Sequence, residues 1–120
     1  MNDNTFGKEQ RQICRRFGSS FSPPLPGTKV GFALGTRRLS PINGVRLPAH
    51  KDTNGWYIWC GEETSEASDF YEPVHTEHLV ELCPAAMPFL ALPAGYRFLV
   101  DGDYVDVWFD ESVLNKLHKS

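Results

Sequence analysis

The chain has 120 residues, 41% apolar and 22% charged, values that suit a single globular domain with its own core and exclude wholesale disorder. No run approaches the roughly 18 apolar residues of a membrane span, and the polar stretch 1–8 lacks the apolar core of a signal peptide, so the expectation is a cytoplasmic protein. The net charge of −3 hides an asymmetry: residues 1–51 hold nine Lys or Arg against two acids, a balance of +7, whereas residues 52–120 hold three against thirteen, a balance of −10. Such a split points either to an electrostatic partner or to two halves that face and neutralise one another.

Residues 5–17 predict a helix. Phe6, Ile13, Cys14 and Phe17 fall near one face, polar residues separate them, and Gly18 is a stop signal. Ser22-Pro23-Pro24-Leu25-Pro26-Gly27 then breaks regular structure. Its P-x-x-P spacing is compatible with a polyproline ligand, but its place between two core elements favours a stiff internal connection.

Residues 29–35 predict a strand, with Val30, Phe32 and Leu34 on one face and Gly31, Ala33 and Gly35 on the other. These glycines lie within the strand, so they are not a phosphate-binding loop. Residues 36–54 read as a long connection with turn signals at Asn43-Gly44 and Asn54-Gly55, enclosing a short strand at 45–47. Trp56-Tyr57-Ile58-Trp59 is an aromatic strand, bulky on both sides. It is buried on both faces, or one face is a binding surface.

The acidic segment 61–69 reads as an exposed loop. Residues 76–83 predict a helix capped by Thr76, with Leu79, Leu82 and Cys83 facing inward, and Pro84 and Pro88 reduce the next segment to a broken turn. Two alternating runs, 96–100 and 104–109, flank Asp101-Gly102 and predict a hairpin. Asp110 caps a closing helix with Val113, Leu114 and Leu117 packed inward. The sum is an α+β fold: an antiparallel sheet of about four strands with helices packed on one face.

Candidate chemistry is sparse. Cys14, Cys60 and Cys83 are odd in number and irregular in spacing, and read as reduced, packed thiols. His75 and His78, with Glu81 or Cys83, are candidate ligands, but no metal-site spacing surrounds them, and neither metal nor cofactor is expected. Arg11, Arg15, Arg16, Lys29, Arg37 and Arg38 are candidates for nucleic-acid contact, against which the acidic balance argues. Trp56, Trp59, Tyr104 and Trp108 are candidates for an aromatic pocket that binds a small molecule, with or without catalysis. Asp106, a carboxylate in mid-strand, is either a buried residue that fixes register, which is favoured, or a contact residue on an exposed aromatic face.

Several segments together resemble the immunity protein 33 family, small bacterial proteins of polymorphic toxin systems. They are the glycine-aromatic block 55–62, Val30-Gly31-Phe32, the helix and proline pattern of 74–92, Gly95-Tyr96-Arg97-Phe98, and Asp106-Val107-Trp108-Phe109-Asp110. The likeness covers residues 29–110 and leaves the first helix and the proline connection outside, as an appendage (1–28) to a core (29–118) within one domain (1–120). It implies a protein that binds and neutralises a cognate toxin, without catalysis of its own. It supplies no catalytic residues. Toxins that attack nucleic acids are often basic, and an acidic inhibitor meets a basic partner quickly through steering. Glu62, Glu63, Glu66, Asp69 and Glu72 are the expected contacts. A generic protein-interaction module remains the alternative, and neither nucleic acid nor membrane is an expected partner.

Overall fold

The computed structural model describes residues 6–65 and 67–115. Along the chain run α1 (Gly7–Phe17), β1 (Lys29–Phe32), a 3-10 turn (Leu34–Thr36), β2 (Ile42–Arg46), β3 (Thr53–Cys60), β4 (Glu72–His75), α2 (Thr76–Leu82), a 3-10 helix (Pro84–Phe89), β5 (Tyr96–Asp101), β6 (Tyr104–Phe109) and a last 3-10 helix (Glu111–Asn115).

The class is α+β, as expected, but the sheet has six strands rather than four and is mixed rather than antiparallel. Its order is β4-β1-β3-β2-β5-β6. β1 runs parallel to β3, and the other neighbours are antiparallel. β4, which the sequence conceals, and β2, which the predicted short strand at 45–47 meets only at Val45 and Arg46, account for the difference. β2 lies in the predicted connection, where Asn43-Gly44 signals a turn. Both residues are instead in mid-strand, Gly44 between Ile58 of β3 and Phe98 of β5. A Cβ on residue 44 would collide with the Phe98 ring, so this glycine serves close packing. β4 contains Pro73 and few strand formers. It is an edge strand, where a missing N–H need not cost a ladder bond.

Helices cover one face of the sheet. Val30, Phe32, Trp56, Ile58, Cys60, Phe98, Val100 and Val107 are buried there with Cys14, Leu79, Met87, Phe89 and Leu90. Each fully buried large side chain contributes about 1.5–3 kcal/mol of transfer free energy. Phe89 stacks on Phe98 at 4.6 Å between ring centroids, and the Trp56 indole N–H donates to the Leu90 carbonyl at 2.9 Å. α1 buries Gln10 and Cys14, and Gln10 Nε2 donates to the Met87 carbonyl at 2.9 Å. It ends at Gly18 in the left-handed conformation, where the predicted stop lies. In the proline connection, Ser22 N–H donates to the Ala91 carbonyl at 2.7 Å.

Not every helix keeps to that face. Val113, on the last 3-10 helix, packs on the opposite one with Val45, Leu47, Tyr57 and Trp59. Asp110 caps it as expected, accepting from Ser112 N–H at 3.1 Å. Leu114, expected to pack inward, is instead exposed, and Leu117 lies outside the described residues.

Two buried polar residues tie the layers together. Arg46, 7% exposed, donates from Nε to the Asn54 carbonyl at 3.0 Å and from Nη1 to the carbonyls of Ser22 (2.7 Å), Leu90 (3.3 Å) and Leu92 (2.8 Å). Asn54 Nδ2 donates to the hydroxyls of Thr28 and Thr76 at 3.1 and 3.0 Å. Thr76 therefore does not cap α2 with its side chain. Its hydroxyl donates to the Thr28 carbonyl at 2.9 Å and fastens the helix start to the residue before β1.

The β5–β6 hairpin is present, with its turn one residue later than the Asp-Gly signal suggests. Asp101 pairs with Tyr104, so Gly102 and Asp103 form the loop. Gly102 has φ 60°, and Asp103 is not among the residues with positive φ. That is the pattern of a turn with glycine first, and it leaves Asp101 inside the strand.

Candidate functional site

Gly61, with φ 91°, turns the chain out of β3. Asn43 Nδ2 holds that exit by donating to the Gly61 carbonyl at 2.9 Å, and Gly61 N–H donates to the Pro41 carbonyl at 2.8 Å. From this anchored start Glu62, Glu63 and Asp69 project exposed from a loop. Glu72, also exposed, is in β4 opposite Phe32 rather than in the loop. Glu66 lies outside the described residues. Phe70 and Tyr71 close the loop edge to face at 4.8 Å, and Tyr71 meets Tyr57 at 5.2 Å.

The register joins the two acidic regions of the sequence. Cys60, Ile42, Val100 and Val105 stand in one row across β3, β2, β5 and β6. The Gly61–Glu63 exit and the Gly102-Asp103 turn therefore leave the same end of the sheet. They are two strands apart, about 10 Å. Arg37 and Arg38, exposed on the connection from β1 to β2, share that end with them.

Among the described residues, the sheet face away from the helical layer is covered only in part. Strand alternation puts Asn43, Tyr57, Trp59, Arg97, Leu99, Asp101, Tyr104, Asp106 and Trp108 on it. The last 3-10 helix shields the Val45–Leu47 end. Towards β6, Tyr104 is 59% and Trp108 40% exposed, with Trp59, Leu99 and Asp106 half-buried. Among the described residues, Arg97 is the one cation that β2, β3, β5 and β6 place on this face. Its Nε donates to Asp110 at 2.8 Å. Hydrogen bonding from Ser112, and then Arg97, holds the Asp110 carboxyl below the usual carboxylate range.

Asp106 does not have the register-fixing role favoured from sequence. It is half-buried beside Tyr104 and Trp108, opposite Leu99, and enters no side-chain hydrogen bond among the described residues.

The two charged halves are not simply interleaved. Arg11, Arg15 and Arg16 lie exposed on α1, on the helical side of the sheet, and the Arg11 guanidinium sits 4.1 Å from the Phe21 ring centroid. Lys29 forms an ion pair with Asp52 at 3.2 Å, and Arg46 is spent on carbonyl oxygens. The six candidate nucleic-acid contacts are thus divided among α1, β1 and the connection after β1.

The aromatic-pocket grouping does not form. Trp56 is fully buried on the helical side, whereas Trp59, Tyr104 and Trp108 are on the opposite face. His75 and His78 meet edge to face at 5.8 Å, and among the described residues no three metal-ligating side chains come together. Cys83 turns into the core beside Cys60, and both are free thiols. The hydrogen bond from the Cys83 thiol pulls Cys60 down and pushes Cys83 up, and Thr36 adds to the lowering at Cys60.

The sequence matches the Imm33-like domain over residues 9–110. No curated protein and no solved structure matches. The match begins well before the resemblance seen at 29–110 and takes in most of α1 and the proline connection, the segments that Gln10, Cys14 and Ser22 fasten to the core. With 102 of its 120 residues inside that match, the chain belongs to the Imm33-like domain family.

Proposed function

We propose that the protein is a bacterial immunity protein that binds a cognate toxin one to one in the cytoplasm and neutralises it without catalysis of its own. Membership of the Imm33-like domain family carries this reading. The exposed carboxylates of Glu62, Glu63, Asp69 and Glu72 support it, and Glu66, between them in the sequence, completes the proposed contact set. Residues 1–120 act as one domain in this role. The toxin is a basic protein, and long-range attraction brings the pair together quickly at low salt.

The test is co-expression with the toxin encoded beside this gene, followed by gel filtration of the pair. Protection together with a stoichiometric complex is the expected outcome. Unabated toxicity and separate elution would refute it. Charge reversal at Glu62, Glu63 and Glu66 together should slow association by about tenfold or more at low ionic strength and flatten its salt dependence. An unchanged association rate would remove the segment from the encounter surface.

A further inference from the structure

We infer that the toxin docks on the uncovered sheet face beside β6, with Tyr104, Trp108 and Leu99 as the apolar centre and Asp101, Asp103 and Asp106 as an acidic rim. This rests on the immunity reading and adds a surface that the acidic loop alone does not provide.

Three observations carry it. First, the face bears large aromatics in the open, Tyr104 at 59% and Trp108 at 40% exposure, on an edge strand. Exposed aromatic side chains on rigid strands are the kind of anchor that dominates interface energies. Second, among the described residues the charge on this face that is outside an ion pair has one sign. Among the described residues its only cation on β2, β3, β5 and β6 is Arg97, and that charge is engaged by Asp110. Asp101, Asp103 and Asp106 enter neither an ion pair nor a side-chain hydrogen bond among the described residues. Third, the Gly102-Asp103 turn leaves the same end of the sheet as Glu62 and Glu63, so loop and face can meet one partner together.

The chemistry selects the occupant. Carboxylates next to indole and phenol rings suit arginine and lysine, which pair with the acid and stack on the ring. Nucleic acid is repelled by the same carboxylates. The occupant is thus a basic protein surface, rich in arginine.

The probe is the catalytically inactivated toxin domain encoded beside this gene, titrated calorimetrically against the whole chain. Trp108→Ser and Tyr104→Ser alter exposed side chains, and thermal melts of each variant establish that the fold is intact. Each should weaken binding by about 30-fold or more, the loss expected on truncating an interface anchor. Asp101→Lys with Asp106→Lys should slow association by about tenfold at low salt and much less at high salt. If the wild-type chain binds and protects while all of these variants bind within twofold of it, the docking face is refuted and the immunity reading stands. Absence of both binding and protection by the wild-type chain refutes both. Tight binding of duplex DNA or RNA by the wild-type chain, lost in Trp108→Ser, would also overturn the assignment. So would a stable dimer that Trp108→Ser splits.

Discussion

Replacing Arg46 by Met should cost the fold about 3 kcal/mol, the net of two opposed effects. Burial alone pulls the guanidinium down to about 10. Four carbonyl acceptors at 2.7–3.3 Å act in the other direction and keep it cationic. Methionine fills much of the same space and avoids the desolvation. It leaves the carbonyls of Ser22 and Leu92, and that of Asn54, without the donor that reaches them. The Leu90 oxygen keeps the Trp56 indole N–H. Two or three carbonyls losing their donor, at about 1–3 kcal/mol each, outweigh the relief of one buried cation. For a chain of this size the midpoint should fall by about 10–15 °C. The assay is thermal and urea unfolding by circular dichroism, with Arg46→Lys as a companion. Lysine keeps the charge but not the fork, and should fall between wild type and Met. A midpoint for Arg46→Met within about 3 °C of wild type, or above it, would show that desolvation wins and that the carbonyl cluster does not need its donor.

Gly44→Ala should destabilise by about 2–3 kcal/mol, because its Cβ meets the Phe98 ring between two paired strands; Gly102→Ala has open space and should cost about 1 kcal/mol from its positive φ alone. Equal urea midpoints for the two would contradict the packing argument. Asp110 has a depressed carboxyl in the fold, so its contribution is present above the unfolded value of about 3.9 and is lost as pH falls through the folded one. Asp110→Asn should therefore melt below wild type at pH 7 and converge with it near pH 2, a pattern that parallel melts across pH would reveal or deny. Removing the thiol donor in Cys83→Ala should raise the Cys60 pKa, read from ultraviolet thiolate absorbance during a pH titration. An unchanged titration would mean that the two sulfurs are not coupled.

Local rules made most elements legible and failed where packing overrode them. α1 with its glycine stop, the aromatic strand, α2 and the β5–β6 hairpin follow from periodicity and turn chemistry. β2 followed only at residues 45–46, because Asn43-Gly44 is a turn signal in isolation, and only the Phe98 ring of a strand more than fifty residues away explains a glycine there. β4 did not, because Glu72-Pro73-Val74-His75 owes its extended form to pairing with β1 and not to propensity. The parallel β1–β3 pair has no local signature at all. At the candidate site, the loop acids could be read directly, and the family likeness lay in the right segments. That Trp56 and Trp59 part to opposite faces, and that Asp106 shares a face with Tyr104 and Trp108, follows from strand alternation, but which of those faces the helices cover required the tertiary structure. Asp106 carried a signal: a carboxylate in an aromatic strand is costly unless that face is wet.

An aromatic sheet face beside an edge strand, open among the described residues, is also a hazard, since two copies of the chain could stack there or join edge to edge. Here Asp101, Asp103 and Asp106 act as gatekeepers. Two such faces brought together would oppose carboxylate to carboxylate, at a cost that rises as the aromatic rings expel water. Colloidal stability of the free protein is thereby tied to the mutual repulsion of three side chains. Light scattering should show self-association growing as salt screens the rim, and Trp108→Ser should suppress it.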